Sequence, residues 1–381
     1  MKLLLAFALL VTSATSTAAI DQAPPSFPYK DSQAVYSDFS EAHYNITFDV
    51  AAQTVSVDST IHFNMAQAGR PIFDLVSGVQ ELKIDDVVTP IATINDPDMM
   101  SAMLVVNKVM EPGAHTLKIK STFTTNVVFN PQGVAAGLWM SDLNDRRYLE
   151  QYLPANMEFD QYRMHFTVTV TGAAGKPHLL KANGVVTELA ENSFDVVMPD
   201  FYTGSSVFFH LFPAQNSFNS AQFYYSSIDG RQIPVDIYTT YDVTAFADAT
   251  KTILAELEAD YGPFPHNQVI IYGSSLSGGM EHSGATTTSL SALGHELFHS
   301  YHARGLMPAN GNAGWMDEAI ARWRDNRYPL LETLPYQSMR LGGHSPYLRM
   351  TNRMAYTKGS AFLSWIAFGM NANRLSFKTF L

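Results

Sequence analysis

Apolar and polar residues alternate with a period of two along the first half of the chain, and the spacing turns helical beyond residue 243. The alternating runs are YNITFDV (44–50), TVSVDSTIHF (54–63), HTLKIKSTF (115–123), YRMHFTVTVTG (162–172), SFDVVMP (193–199) and SVFFHLF (206–212). Each is short, rich in β-branched or aromatic residues and bounded by Gly, Pro, Asn or Asp, the pattern of antiparallel strands. They predict a β-rich domain over 40–215, entered through a leader over 20–39 that contains PPSFPYKDS. FPAQNSFNSAQ (212–222) reads as the junction. TAFADATKTILAELEADYG (244–262) then has helical periodicity and stops at Gly262-Pro263, a breaker pair. NQVIIYG (267–273) is one strand, and three helical stretches follow at 290–303, 315–327 and roughly 358–370. The expectation is an α+β chain, with a β-rich domain followed by a mostly helical one over 223–381.

Composition narrows the function. The 381 residues suffice for two ordinary domains. A formal net charge of -11, with no basic run, argues against nucleic-acid binding, which needs clustered Lys and Arg against phosphate. The opening MKLLLAFALLVTSATSTAA resembles a secretory signal over 1–19, with Lys2 before a short apolar core and small residues at its end. That core is too short to span a membrane, which takes about 20 residues. The expected location is periplasmic or secreted, with no transmembrane segment in the mature chain. There is no cysteine. Disulfides and thiol-linked lipid anchors are excluded, and any metal must be held by His and carboxylate.

GHELFHSYHARG (294–305) supplies such ligands. On a helix His295 and His299 lie one turn apart on one face, so both imidazoles can reach one ion. Zn²⁺ suits neutral imidazole, and Glu296 would stand beside it as a general base toward water. Leu290, Leu293, Leu297 and Tyr301 form an apolar stripe, with Gly305 to close the helix. With 12 His in the chain the motif would arise by accident at roughly the two per cent level, so a third ligand decides the matter. Glu318, eighteen residues past His299 in GWMDEAIARW, is the candidate. Two His and one Glu leave a coordination position open for water. Asp325, seven residues past Glu318, lies on the same helix face and could orient a ligating His. The Gly278-Gly279 pair would let backbone approach a bound peptide closely.

These motifs, in this order, resemble the alanyl-aminopeptidase-type gluzincins, which include leukotriene-type hydrolase-aminopeptidases. The resemblance runs through Gly278-Gly279-Met280-Glu281-His282, His295-Glu296-x-x-His299, Glu318 after the same gap, and MAYTKGSAF (354–362). It covers nearly all the chain beyond the signal. It implies a saddle-like β-rich first domain, a thermolysin-like catalytic domain and one zinc ion per chain. It also implies that Tyr356 hydrogen-bonds the developing oxyanion and that Glu281 binds the substrate's free amine.

The departures are specific. His282 stands where the family carries Asn. Only thirteen residues separate Glu281 from His295, and the stretch from Glu318 to Tyr356 is short. Leu153 occupies the position of a second amine anchor, leaving Gln151 or Glu150 to substitute after a shift in register. The chain ends in NRLSFKTFL without the large helical C-terminal domain of relatives, as a short branch or a C-terminal truncation. The expected function is an exported zinc aminopeptidase acting on peptides with a free N-terminus. An endopeptidase with an open cleft is the first alternative, and a non-catalytic peptide-binding protein the second.

Overall fold

The computed structural model describes residues 24–94, 103–141, 148–156, 160–274, 278–307, 314–337, 339–341 and 351–381. The expected signal segment 1–19 lies outside the described residues. The architecture is mixed α+β and made mostly of strands.

The alternation in the first half does what a half-buried strand requires. Along Asp38–Asp49, Ala42, Tyr44, Ile46 and Phe48 turn inward; along Thr54–Met65, Val55, Val57, Ile61 and Phe63 do so. These two strands pair antiparallel, and Arg163–Thr171 runs parallel on the other side of Asp38–Asp49. They form the centre of an eight-stranded sheet. A four-stranded sheet contains Gly133–Gly137 and Phe209–Pro213, and a small five-stranded sheet completes the region. The segment read as a leader is structured: Phe27–Tyr29 and Ser32–Tyr36 pair as strands of that small sheet. Ala34 and Tyr36 are buried with Ile72 and Val105, which ties the segment to the body.

The second half differs from the mostly helical domain expected. A five-stranded sheet underlies it, in the order Asn219–Ser226, Gln232–Thr239, Val269–Gly273, Ala285–Thr288, Gly279–His282. Ala221, Phe223 and Tyr225, and Ile233, Val235 and Ile237, carry a period of two that packs against a helix. That helix, α1 (Val243–Tyr261), is capped by Asp242 through the amides of Thr244 and Ala245 and ends at Gly262. It connects the parallel strands Gln232–Thr239 and Val269–Gly273, a connection no tight hairpin can make. Gly279–His282 and Ala285–Thr288 are a hairpin of four-residue strands, too short to leave a periodic trace in the sequence.

The helix expected over 290–303 is also shorter. α2 spans Leu293–Phe298. Ser300 and Tyr301 donate their amides to the carbonyls of Leu297 and Phe298, tightening the chain, and Ala303 has φ of 126°, incompatible with helix. Turns replace the last part of the helix. α3 (Trp315–Asp325) and α4 (Lys358–Ala372) pack on one another, with Ala319, Ile320, Trp323, Leu363 and Ala367 in the core they share with α1 and α2.

One carboxylate ties the turn before the second strand of this sheet to the end of α1. Glu258 accepts hydrogen bonds from the Tyr225 hydroxyl (2.9 Å), the Ser227 hydroxyl and the amides of Ile228 (3.0 Å) and Phe264 (2.9 Å). Burial pushes its carboxyl up, but these donors outweigh it and hold the pKa below the ordinary 4.5. Glu258→Gln should lower unfolding stability at neutral pH by about 2–3 kcal/mol, since an amide offers one acceptor where two were used. Because the folded-state pKa is depressed, the carboxylate's advantage is present above 4.5 and lost as pH falls through the folded value. Urea titrations of both proteins should converge at acid pH; a gap that persists there would show that charge is not the cause.

Candidate metal centre and cleft

α2 and α3 bring three donor atoms together. The Nε2 atoms of His295 and His299 are 3.2 Å apart, and the Glu318 Oε2 lies 3.1 Å from the first and 3.6 Å from the second. The i, i+4 spacing brings the two imidazoles together, since the turn from His295 to His299 stays helical, closed by a 3.4 Å amide-to-carbonyl bond. Glu318 comes from the first turn of α3. Tetrahedral ligation at zinc–nitrogen distances of 2.0–2.1 Å asks for about 3.4 Å between donor atoms, which these separations bracket.

The opposite ring nitrogens fix how the rings face. The Nδ1 of His295 is 2.7 Å from the Asp325 carboxylate, and that of His299 is 3.3 Å from the His302 carbonyl. With Nδ1–H donated outward, both Nε2 lone pairs point at one place, which is how ligating imidazoles are held. The donor set therefore fits a divalent metal.

The charges respond to this crowding. Burial pulls His295 down, but hydrogen bonds to Asp325 and Glu318 raise its pKa to about 9. His299 is raised too, with burial opposing and Glu281 and Glu318 prevailing. Glu318 is held well below the usual carboxylate range, the two imidazoles overcoming its burial. Glu296 goes the other way. Burial drives its carboxyl up to about 8, and the nearby Glu281 and Glu318 push in the same direction.

A cavity of about 400 Å³ opens onto His295 and Glu318, with His299 fully buried beside them, and is lined also by Glu281, Glu296, Asp325, Arg322 and Tyr356. The Tyr356 ring lies nearly parallel to that of His295, centroids 6.1 Å apart. Gly278 and Gly279 line the same cavity, but they differ in what they allow. A Cβ on Gly279 would meet the Glu296 side chain at 2.6 Å, so that glycine makes room for Glu296 rather than for a peptide. Gly278 has φ of 118° and open space where a Cβ would stand. Gln151 is not brought in. It closes a short 3-10 turn (Leu149–Gln151), its amide donates to the Tyr152 hydroxyl, and it is not among the residues lining the cavity.

Sequence reasoning passed over Arg304. Its guanidinium donates to Glu281 Oε1 at 2.8 Å, and both side chains are buried. The only signal was an arginine shortly after the second histidine, and nothing local says it reaches back to a strand more than twenty residues earlier.

No protein-family model matches the chain, and no curated protein sequence matches it either. Solved structures do. An M1 zinc metallopeptidase from Deinococcus radiodurans superposes with a TM-score of 0.58 at 14% identity, over 90% of this chain and 83% of its own. The fold is that of the M1 zinc metallopeptidases. An aminopeptidase A from Legionella pneumophila, in complex with aspartic acid, matches at 0.56 and 12% identity, over 79% of this chain and 38% of its own. Leukotriene A4 hydrolase from Saccharomyces cerevisiae matches at 0.54 and 15%, over 79% and 51%. The chain thus spans most of the Deinococcus protein and about half of the yeast hydrolase. At these identities the M1 likeness establishes architecture, and the chemistry must be argued from the side chains above.

Asp325→Ala should leave the fold intact and weaken metal binding about 10- to 100-fold, because the His295 ring loses the group that orients it. Competition titration against a chelator measures this. Unchanged affinity would remove Asp325 from the centre.

Proposed function

We propose that this chain is an exported, zinc-dependent metallopeptidase that removes N-terminal residues from peptides. The observation that carries the reading is the convergence of His295, His299 and Glu318 at the spacing of tetrahedral ligands, beside a buried Glu296 and within a cleft. Zn²⁺ in this donor set would supply a Lewis acid toward a carbonyl oxygen and acidify water at neutral pH. Glu296, lining the cleft beside the ligands, takes the proton as water attacks and returns it to the leaving amine. Tyr356 donates its hydroxyl to the oxygen that gains charge, a contact strongest in the transition state. A similar Deinococcus structure holds a tripeptide substrate, which supports a peptide as ligand here. Export rests on the amino-terminal sequence alone, and no helix among the described residues is long and apolar enough to cross a membrane.

Glu281 is the anchor for the substrate's ammonium. It enters that role already paired with Arg304 through Oε1, leaving Oε2 to receive a second cation. A substrate without a charged amine then strands no unpaired carboxylate, and selectivity comes only from the added ammonium contact. This pairing also favours the second reading, an endopeptidase that uses the same zinc chemistry and ignores the amine.

Two experiments test the reading. Chelation should abolish peptidase activity and zinc restore it, while Glu296→Gln should keep the metal and lose about a hundredfold in turnover. Activity in metal-free protein, or full turnover in the variant, would overturn the mechanism.

Aminoacyl amides with a free amine should be cleaved about 10- to 100-fold faster than their N-acetylated forms, the scale of one charge-assisted hydrogen bond. Equal rates would leave the zinc reading standing and favour the endopeptidase.

A further inference from the structure

The outer face of the eight-stranded sheet carries a second pair of histidines, away from the cleft. Asp38–Asp49 and Arg163–Thr171 run parallel, with His43 directly opposite His165. Both belong to the alternate residues that point away from the core, since Ala42, Tyr44, Met164 and Phe166 are the buried ones. Strand register brings the imidazoles together, with ring centroids 5.0 Å apart, planes at 71° and the two Nδ1 atoms 3.1 Å apart. The side chains are 41% and 32% exposed, so solutes reach them.

A carboxylate stands behind each ring. Glu41 Oε1 lies 2.8 Å from His43 Nε2, and Asp195, on the neighbouring strand Ser193–Val197, bonds His165 Nε2. A carboxylate only accepts, so each Nε2 is the nitrogen that carries hydrogen. A neutral imidazole has one N–H, which leaves both Nδ1 atoms with bare lone pairs aimed at one another. Lone pairs at that separation repel unless a cation lies between them. The surrounding charge points the same way. Glu41 is shared with Arg163 at 2.8 Å, whereas Asp195 has no cationic partner besides His165 among the described residues.

A shared proton is the smallest cation that meets these terms, but the arrangement also matches the one at the cleft. There the Nε2 atoms are 3.2 Å apart, and the Asp325 carboxylate holds His295 from its far side. Imidazoles held from behind in this way are the usual form of histidine ligands. At metal–nitrogen distances of about 2.0–2.1 Å, the Nδ1 separation subtends roughly 100° at an ion, within reach of tetrahedral and tetragonal coordination alike.

We propose that His43 and His165 form a second metal site, which binds one divalent transition-metal ion through their Nδ1 atoms with water completing the coordination. Glu41 and Asp195 hold the rings by accepting their Nε2–H groups. The ion ties together two strands of the β-rich region. Neither histidine lines the cleft, so the site stands apart from the peptidase reading. Its preference follows the general order for nitrogen ligands, with Cu²⁺ ahead of Zn²⁺.

The test titrates protein loaded with one zinc ion per chain with Cu²⁺, and counts both metals after unbound ions are removed. One copper should be gained with the zinc retained, and its electron paramagnetic resonance spectrum should show two nitrogen ligands. His43→Ala, and separately His165→Ala, should keep the zinc and lose the copper. Asp195→Asn leaves both imidazoles in place and should weaken copper binding about 10- to 100-fold. Thermal unfolding identifies any histidine variant that fails to fold, and Asp195→Asn then carries the test. A wild-type chain that gains no copper, or only exchanges it for zinc, has no more than a proton between the rings, and the proposal falls. Copper gained equally by the wild type and all variants is adventitious and overturns it as well. A chain that holds no zinc at the cleft, yet loses its copper with His43→Ala, would refute the zinc reading and leave this site standing.

Discussion

Glu318 is buried against two imidazole nitrogens, and a buried carboxylate persists only if its charge is matched. That requirement joins α2 to α3. It fixes which face of each helix turns inward and forces the two Nε2 atoms to within 3.2 Å of one another. Asp325, two turns further along α3, repeats the tie from the other side of the His295 ring. Two of α3's carboxylates thus clamp one histidine, and the helix cannot slide without breaking both. The same arrangement leaves Glu296 buried among carboxylates, which raises its pKa toward neutrality. The convergence of the three candidate ligands and the raised pKa of Glu296 are two consequences of one packing constraint.

The four residues Gly279–His282 are the second element on which the site depends. A strand sends successive side chains to opposite faces, so Glu281 faces α2 while Met280 and His282 face the β-rich region. Met280 belongs to the core of that region, which anchors the cleft wall to the rest of the molecule. Gly279 lets Glu296 lie against the wall at a distance no other residue would permit.

Arg304 alters the electrostatic setting of Glu281. A lone buried glutamate would reject any substrate that failed to neutralise it, whereas a glutamate already paired tolerates both kinds. The chain keeps the acidic residue of its resemblance and changes its electrostatic setting through a residue on a different segment.

How much of this was legible in the sequence follows from the range of the interactions. The two histidines, the glutamate between them, the long strands and α1 are local: periods of 3.6 and 2, caps and breakers, all written within a few residues. Glu318 and Asp325 could be named because they share a helix face and a spacing. The short hairpin Gly279–His282 and Ala285–Thr288 left no such trace, since four residues are too few for a period to register. The early end of α2 was hidden because Leu290, Leu293, Leu297 and Tyr301 keep a helical pattern that the turn at Ala303 overrides. The sequence by itself determined the ligand types, their spacing and the alternation that builds the β-rich half. Only the tertiary structure decided that Arg304 pairs with Glu281 and that Gly279 makes room for Glu296. Those are contacts between segments distant along the chain, set by how strands register and helices pack rather than by any local preference.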